Sequence, residues 1–254
     1  MSRVVSRAAG LLLAVGAAVL AAAVSAPGVA AAAESCRPGF PDHLNFRFCA
    51  DSGGWVGAFA DLPAAELEGE LFALSFRRAR VPHAPSAGRL LGLGLSGHNR
   101  SDDLFMYVKR QITGLAPNAA YEIDLRFTLY TNAGQGCVGI GGAPGEAVYV
   151  KAGAVPFEPD AVEDGFGDLR MNLDKGNQAQ GGDDAAALGD LAAAGADCEG
   201  TVYVPKRFTT GPEPLVAETD RDGNLWVLIG TDSGFEGRTT VYITHIRLFV
   251  VRRL

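Results

Sequence analysis

The stretch from His98 to Asn132, HNRSDDLFMYVKRQITGLAPNAAYEIDLRFTLYTN, decides the fold class of this chain. Within it, 121–129 alternates strictly between apolar residues at odd positions and polar residues at even positions. Successive side chains of a strand point to opposite sides, so this pattern predicts a half-buried strand with one wet face. Such strands are typical of antiparallel sheets, because parallel sheets are usually covered on both faces. The segment 104–112 predicts the preceding strand, and Gly114 with Pro117-Asn118 predicts the turn between the two.

Short strand-like runs separated by turn signals recur along the rest of the chain and bring the number of strands to about ten. Asp222-Gly223-Asn224 is a strong hairpin signal between two of them. Many short strands without long amphipathic helices predict an antiparallel β-sandwich or barrel, formed by one domain over 34–254. Only 183–196, DDAAALGDLAAAGA, has a helical composition, and we expect a short helix or an ordered loop there. The other runs are 44–49, 71–77, 89–95, 147–153, 201–204, 214–219, 225–230 and 239–251.

The first 33 residues have the composition of a secretory signal peptide. Arg3 and Arg7 form a basic start, 10–24 is apolar, and Ala31-Ala32-Ala33 offers a small-x-small cleavage site. The apolar run is short for a membrane-spanning helix, which needs about 20 such residues. A lipid anchor on Cys36 is the less favoured alternative, because Glu34-Ser35 is a poor lipobox. We therefore expect a secreted protein with no membrane association after cleavage.

The charge balance argues against polyanionic partners. The chain has 22 basic and 29 acidic residues, and loss of Arg3 and Arg7 leaves 20 against 29, a net charge of −9. No basic run resembles a nucleic-acid footprint, and an acidic surface repels anionic membranes. Neutral sugars, cations or proteins are the expected partners.

The four cysteines all follow the predicted signal peptide. An even number of cysteines in a secreted chain predicts two disulfides, for which three pairings exist. We favour Cys36 with Cys49, which would fasten the start of the mature chain to the first strand, and Cys137 with Cys198. A zinc site is the alternative, but the chain has no C-x-x-C and no paired-histidine spacing.

The segment 112–121, ITGLAPNAAY, resembles the strand–turn–strand signature of galactose-binding-like jelly rolls. Many carbohydrate-binding modules carry such a GL-x-P-x-x-x-Y turn, and fibronectin-type sandwiches use a similar one. The C-terminal 230–243 is similar to the last two strands of the jelly rolls. The segments 138–142 and 174–178 together resemble a family of uncharacterised secreted bacterial proteins, to which no activity is attached. The resemblance implies an all-β jelly-roll sandwich, and fold likeness alone carries no function.

Two polar clusters are candidate ligand-binding loops. Asn99, Asp102 and Asp103 open the first, where turn formation through side-chain-to-backbone bonds is the competing interpretation. The second is denser in amides and charges than closing a hairpin requires, and amides and carboxylates form the paired hydrogen bonds that sugar hydroxyls offer. It contains Asn172, Asp174, Lys175, Asn177, Gln178 and Gln180.

A third cluster, 232–236, offers carboxylates for a metal or for catalysis. Asp232 and Glu236 are candidate oxygen ligands for Ca²⁺. The carboxylates Asp102, Asp103, Asp232 and Glu236 also supply candidates for a glycoside hydrolase or lyase. The chain has none of the G-x-S-x-G, H-E-x-x-H or phosphate-loop motifs, and its four histidines are scattered.

Trp55 lies among glycines in GGWVG, 53–57, and has two interpretations. It is either a stacking platform for a sugar ring or an aromatic anchor that caps the sandwich. Trp226 lies in an apolar strand and is expected in the core. The favoured function is non-catalytic carbohydrate binding through polar loops. The alternatives are the hydrolase or lyase and a structural or protein-interaction module of the cell envelope. The deciding observation is whether 99–103, 172–182 and 232–236 converge in space.

Overall fold

The two strands of the stretch 98–132 both form, but they lie in different sheets of the computed structural model. The structure describes residues 43–85, 89–211 and 213–253, which belong to a compact unit, Cys36–Leu254. The turn between β6 (Leu104–Ile112) and β7 (Ala120–Thr131) carries the chain from one sheet to the other. The Tyr121 hydroxyl fixes this turn by accepting a hydrogen bond from the Ala116 N–H at 2.9 Å.

The remaining elements of the described residues are thirteen further strands and a single turn of 3-10 helix, Ala64–Glu66. The strands before β6 are β1 (Leu44–Phe46), β2 (Val56–Ala60), β3 (Leu62–Pro63), β4 (Ser75–Arg80) and β5 (Leu91–His98). Those after β7 are β8 (Val148–Val155), β9 (Ala161–Glu163), β10 (Asp168–Met171), β11 (Ala185–Asp190), β12 (Val204–Thr209), β13 (Leu215–Glu218), β14 (Leu225–Ser233) and β15 (Arg238–Arg252).

The strand order is that of a jelly roll. The seven-stranded front sheet has the order β12-β7-β15-β5-β4, with β1 also paired to β15 and β13 to β7. The five-stranded back sheet has the order β11-β8-β14-β6-β2. With β12 and β13 taken as one interrupted strand, and with β9 and β10 set aside because they lie in a separate small sheet, the chain from β5 to β15 gives eight strands. When these eight strands are numbered along the chain, their order is 1-8-3-6 in the front sheet and 2-7-4-5 in the back sheet. This is the strand order of a double Greek key. The predicted all-β jelly-roll sandwich is confirmed.

The main core lies between these sheets. The apolar odd positions of 121–129 are all buried, whereas the polar even positions are exposed or half-buried. They pack with Met106 and Val108 of β6 and with Val227 and Ile229 of β14. The alternation of β7 therefore places one face in the core and leaves the other on the outside of the front sheet.

A third, small sheet with the order β3-β10-β9 covers the outer face of the back sheet. A second apolar cluster forms beneath it, in which Phe105, Tyr107 and Leu228 pack against Leu173 and Met171. Trp226, which was expected in the main core, is half-buried at this cluster. The segment 156–184 thus closes the face of the back sheet that points away from the sandwich.

The alanine-rich segment 183–196 contains a strand where a short helix or an ordered loop was expected. Its residues 185–190 form β11, which pairs antiparallel with the edge of β8, and Gly189 lies at a bulge with φ 121°. Local propensity favours a helix for this composition, but the open edge of β8 offers it a full set of backbone partners. Pairing in the sheet therefore overrides the local preference.

The turn at 220–224 forms, but it does not close a hairpin. The Asp220 carboxylate accepts hydrogen bonds from the N–H groups of Asp222 and Asn224. The flanking strands β13 and β14 belong to different sheets, so the prediction of a hairpin is wrong. The carboxylate of Asp220 is saturated by its own turn, as expected of turn chemistry.

One predicted disulfide, Cys137–Cys198, is confirmed, with Cα atoms 5.5 Å apart. It ties the loop after β7 to the loop before β12. The other predicted pair includes Cys36, which lies outside the described residues, as does the predicted signal peptide. In the described part of the chain no helix is long and apolar enough to cross a membrane.

Replacing both Cys137 and Cys198 by serine should lower the free energy of unfolding by about 4 kcal/mol, because the bridge closes a long loop in the unfolded chain. The two cysteines are 61 positions apart. Urea denaturation of this double variant and of the wild-type protein, both without reductant, measures the difference. Equal midpoints and slopes would show that the bridge does not constrain the unfolded state.

Candidate functional site

The three polar segments 99–103, 172–182 and 232–236 converge, and we call them together the loop-end cluster. The Gln178 backbone N–H donates to Asp232 Oδ2 at 2.9 Å, and the Gln178 side-chain amide donates to the Asp102 carbonyl at 3.2 Å. The Asn99 amide donates to the carbonyls of Ser233 at 2.6 Å and Phe235 at 3.1 Å. Segments distant in sequence are thus hydrogen-bonded into one surface.

A buried ion-pair network holds the loop-end cluster against the back sheet. Lys175 Nζ lies 2.9 Å from Asp232 Oδ2 and 3.0 Å from Asp61 Oδ2. Lys151 Nζ lies 3.6 Å from Asp232 Oδ2, and both of these side chains are fully buried. Lys151 also donates to the backbone carbonyls of Lys175 and Gln180. The two lysines therefore hold the loop 175–180 in place and compensate the negative charge of Asp232.

Sheet register explains why these charges lie together. Asp232 is on β14 and Lys151 on β8, and both point to the outer face of the back sheet, where Gly230 is opposite Lys151. The missing side chain of Gly230 leaves room there, and the ring of Phe105 fills it: a Cβ on Gly230 would lie 2.5 Å from that ring. The charged atoms are consequently enclosed by the sheet below and by 172–182 above.

Arg170 and Asp103 form the more open side of the network. Arg170 lies 3.3 Å from Asp103, 3.0 Å from Asp168 and 3.6 Å from Asp61. Burial raises the pKa of Asp103 to about 6, with a further contribution from the neighbouring Asp61. Burial likewise raises the pKa of Asp61, against the opposing charge of Lys175.

The acidic side chains of the network form an oxygen donor set. Carboxylate oxygens of Asp61, Asp103 and Asp232 lie within 4.8 Å of one another, a grouping that divalent cations use. The ammonium of Lys175 is within hydrogen-bond distance of two of them and offsets part of their negative charge. The predicted metal pair is different: Asp232 is buried with the lysines, whereas Glu236 is exposed.

The predicted ligand-binding residues divide into buried and exposed groups. Asn99 and Lys175 are buried and serve the packing of the loops. The Asp174 carboxylate accepts from the N–H groups of Gly176 and Asp183, and these bonds lower its pKa. Asp174 is exposed, as are Asp102, Asn177 and Gln180, with Gln178 and Asp103 half-buried. Asn172 is exposed too, but its side-chain amide is bonded to the backbone of Glu158 and Asp160.

Trp55 lies in the core and corrects the interpretation as a stacking platform. It is 1 % exposed, and its ring meets the ring of Phe46 edge to face at 5.7 Å. Its neighbour Gly54 is at φ 77°, and a Cβ there would collide with the guanidinium of Arg110. The glycines around Trp55 thus allow close packing over an aromatic anchor and do not expose the ring.

Three members of the network were not found from the sequence: Asp61, Lys151 and Arg170. Lys151 carried a usable signal, because it interrupts the apolar strand 148–155 at a position where a charge needs a buried partner. Asp61 carried the same signal, because it interrupts the apolar run 56–65, whereas Arg170 lies among polar residues and carried none. Their roles depend on the small sheet β3-β10-β9, which folds over the back sheet.

Fold and site together define a jelly-roll β-sandwich with an ion-paired cluster of loops at one end. No family model and no curated protein matches the chain. Solved structures do match. One is a carbohydrate-binding module of the β-sandwich superfamily, described as promiscuous in specificity, at 10% identity and TM-score 0.36; the match covers 82% of this chain and only 61% of that one.

Two further solved structures are matched over nearly their whole length. A carbohydrate-binding module described for specific mannan recognition is 15% identical, with 82% of this chain and 96% of that chain covered and a TM-score of 0.36. The K1 cleaved adhesin domain of Lys-gingipain from Porphyromonas gingivalis W83 is 9% identical, with 81% and 96% covered and a TM-score of 0.37. These are similarities of fold.

Lys175→Met should destabilise the protein by about 3–5 kcal/mol, because it leaves Asp61 and Asp232 buried without their nearest cation. Lys206→Met is the matched control, since Lys206 pairs with Asp190 at 2.8 Å in a partly exposed position and should cost about 1 kcal/mol. Urea denaturation compares the two. Similar losses for both variants would show that burial does not set the cost.

Asp103→Asn should change how stability depends on pH. With a pKa of about 6 in the folded protein, wild-type Asp103 binds a proton more readily than in the unfolded chain, so it lowers stability as the pH rises from about 4 to 6. Asparagine does not titrate, so the variant does not lose stability through this side chain as the pH rises. Its stability relative to wild type should therefore rise by about 1–2 kcal/mol across that window, a figure reduced for partial solvent exposure.

The comparison with wild type is needed because His245 acts in the opposite direction. Burial lowers the pKa of His245 to about 4, so its contribution to stability is lost as the pH falls through the same window. That contribution is common to both proteins and cancels in the difference. Asp102→Asn, at an exposed neighbour, is the control. Parallel stability curves for Asp103→Asn and wild type between pH 4 and 6 would contradict the assignment.

Proposed function

We propose that this protein is secreted, non-catalytic and carbohydrate-binding, and that its loop-end cluster contacts the glycan. The observation that carries the proposal is the convergence of three polar segments on one buried ion-pair network. The network holds the loops in place, while Asp102, Asn177 and Gln180 point to solvent. A surface ordered before binding loses less conformational entropy when the ligand arrives.

The chemistry of the exposed groups suits neutral sugars. Amides both donate and accept hydrogen bonds, and carboxylates accept them, which matches the donor and acceptor character of a sugar hydroxyl. The side-chain amide of Gln178 already donates to the backbone carbonyl of Asp102, so the spacing of these two residues is set before the ligand binds. Carbohydrate or another extracellular ligand is the proposed partner, and neither a nucleic acid nor a membrane is.

Secretion is supported by the composition of the first 33 residues together with the disulfide Cys137–Cys198, since disulfides persist in oxidising compartments. We propose that binding needs no cofactor, because Lys175 and Lys151 already supply cations to Asp232 Oδ2. A Ca²⁺ ion shared by Asp232 and Glu236 would have to reach a fully buried carboxylate from an exposed one.

The hydrolase or lyase alternative is weaker. Glycosidases need two carboxyl groups that reach the scissile bond from a shared cleft. Asp232 is fully buried and ion-paired, whereas Asp102 and Glu236 are exposed. Asp103, with a pKa of about 6, has the value expected of a general acid, but the carboxylates nearest to it are the buried Asp61 and Asp232.

One observation favours the interaction module of the cell envelope as a second candidate function. Val138 is 96% exposed and Ile140 is 71% exposed, in the loop that Cys137 anchors to Cys198. Exposed apolar side chains on an anchored loop are a feature of protein contacts. They are few and lie on a loop, so we place this function second.

The purified protein should be retained by at least one neutral oligosaccharide on a glycan array, and the double variant Asn177→Ala/Gln180→Ala should bind it about tenfold more weakly. Gln111→Ala is the matched control, because Gln111 is an exposed amide on β6 outside the cluster. Calorimetry gives the dissociation constants. Absence of retention on any neutral glycan, or an equal loss in the control, would overturn the proposal.

A further inference from the structure

The outer face of the front sheet carries an open groove of about 550 Å³. Its floor is the wet face of three adjacent strands, β12, β7 and β15. Two rows of side chains cross these strands in register. The first row is Arg207, Thr128 and His245, and the second is Thr209, Arg126 and Arg247. Neighbouring strands are about 4.8 Å apart, so Arg207 and Arg247, which lie on the two outer strands but in different rows, are placed diagonally across β7 with Cα atoms roughly 12 Å apart.

The groove contains three arginines, two of which have no acidic partner among the described residues. Arg126 is neutralised by Asp124, to which its Nε donates at 2.9 Å. Arg207 makes no ion pair or hydrogen bond within the described chain, and Arg247 donates only to His245 Nε2, at 3.4 Å. Both arginines are exposed. Two guanidinium groups are therefore available to a ligand on a rigid sheet.

The surroundings of His245 indicate a locally positive field. Its Nε2 lies 2.8 Å from Asn45 Oδ1 on β1, the strand that pairs with β15 beside the groove. Burial lowers the pKa of His245, and the charges of Arg47 and Arg247 and of His43 act in the same direction. The ring is thus neutral at ordinary pH and serves as a hydrogen-bonding group beside the two free arginines.

We infer that this groove binds the acidic units of a carboxylated or sulfated oligosaccharide. Guanidinium groups form bidentate, charge-assisted hydrogen bonds with carboxylates and sulfates. Thr128, Thr209 and His245 add neutral donors and acceptors between the arginines, as sugar hydroxyls require. The groove volume is in the range of small-ligand sites and is too large for a lone ion.

The charge of the whole chain separates this ligand from other polyanions. The net charge is −7, so the protein outside the groove repels a long duplex or an anionic bilayer. A short acidic oligosaccharide places its charges only where the arginines lie. The groove is on the opposite sheet from the loop-end cluster, and this site is independent of the neutral-sugar binding proposed there.

The test uses calorimetry with pairs of oligosaccharides that differ only in charge. Oligogalacturonate is compared with its methyl ester, and a chondroitin sulfate oligosaccharide with its desulfated form. We expect at least one acidic member to bind about tenfold or more tightly than its neutral partner, and to weaken as salt rises from about 0.05 to 0.5 M. The two pairs distinguish a carboxylate from a sulfate as the recognised group.

Arg207→Gln/Arg247→Gln should lose about tenfold or more in affinity for that acidic ligand. Arg221→Gln is the control for charge alone, since Arg221 is 88% exposed on the turn at 220–224 and should leave binding unchanged. Circular dichroism and the thermal midpoint confirm that each variant folds. Asn177→Ala/Gln180→Ala should retain acidic binding, which separates failure of this site from failure of the loop-end cluster.

Three results would overturn the inference. The first is no binding of either acidic oligosaccharide at millimolar concentration. The second is an equal loss of affinity in Arg221→Gln, which would mean that net charge and not the groove is recognised. The third is stronger, equally arginine-dependent binding to duplex DNA or to phosphatidylserine vesicles, which would assign the groove to a different class of partner.

Discussion

The carboxylate of Asp232 is the group on which the arrangement of this end of the molecule depends. It lies on the outer face of the back sheet, fully buried, and a charge in that position costs several kcal/mol unless cations and hydrogen bonds compensate it. Lys151 on the neighbouring strand and Lys175 in the covering loop supply the cations, and the Gln178 N–H supplies a hydrogen bond. Because two of these three partners come from 175–178, satisfying Asp232 forces that loop onto the sheet.

This constraint assigns different roles to the two outer faces of the sandwich. The segment 156–184 covers the back sheet and buries Phe105, Tyr107 and Leu228 beneath it, so that face is closed to a ligand. Among the residues that the structure describes, no comparable segment covers the front sheet over β12, β7 and β15, where exposed arginines alternate with the buried residues of the core. What remains for binding is the rim of ordered loops above the back sheet and the open groove on the front sheet.

Local sequence patterns predicted the sandwich well and its site only in part. Alternation over 121–129 needs no tertiary information, because burial of one face is enough to produce it. The strand 185–190 was not predicted, and the sequence left two interpretations open for Trp55, since each depends on a neighbour that local sequence does not show: the edge of β8 and the ring of Phe46. The sequence showed the three polar segments but not whether they converge. The ion-pair network on which they converge includes Asp61 and Lys151, which only sheet register brings together.

The front-sheet groove has no signature in the sequence because it too depends on which strands become neighbours. Arg126, Arg207 and Arg247 are far apart along an acidic chain, and each alone has the appearance of a solvated charge on an alternating strand. A bulge between Ile243 and His245 in β15 keeps Ile243 and Ile246 both in the core, and it thereby sets the phase that turns His245 and Arg247 outward. Without the extra residue, strict alternation from Ile243 would turn Arg247 into the core and Ile246 towards water. The packing of two isoleucines thus determines which face of the sheet carries the positive charge.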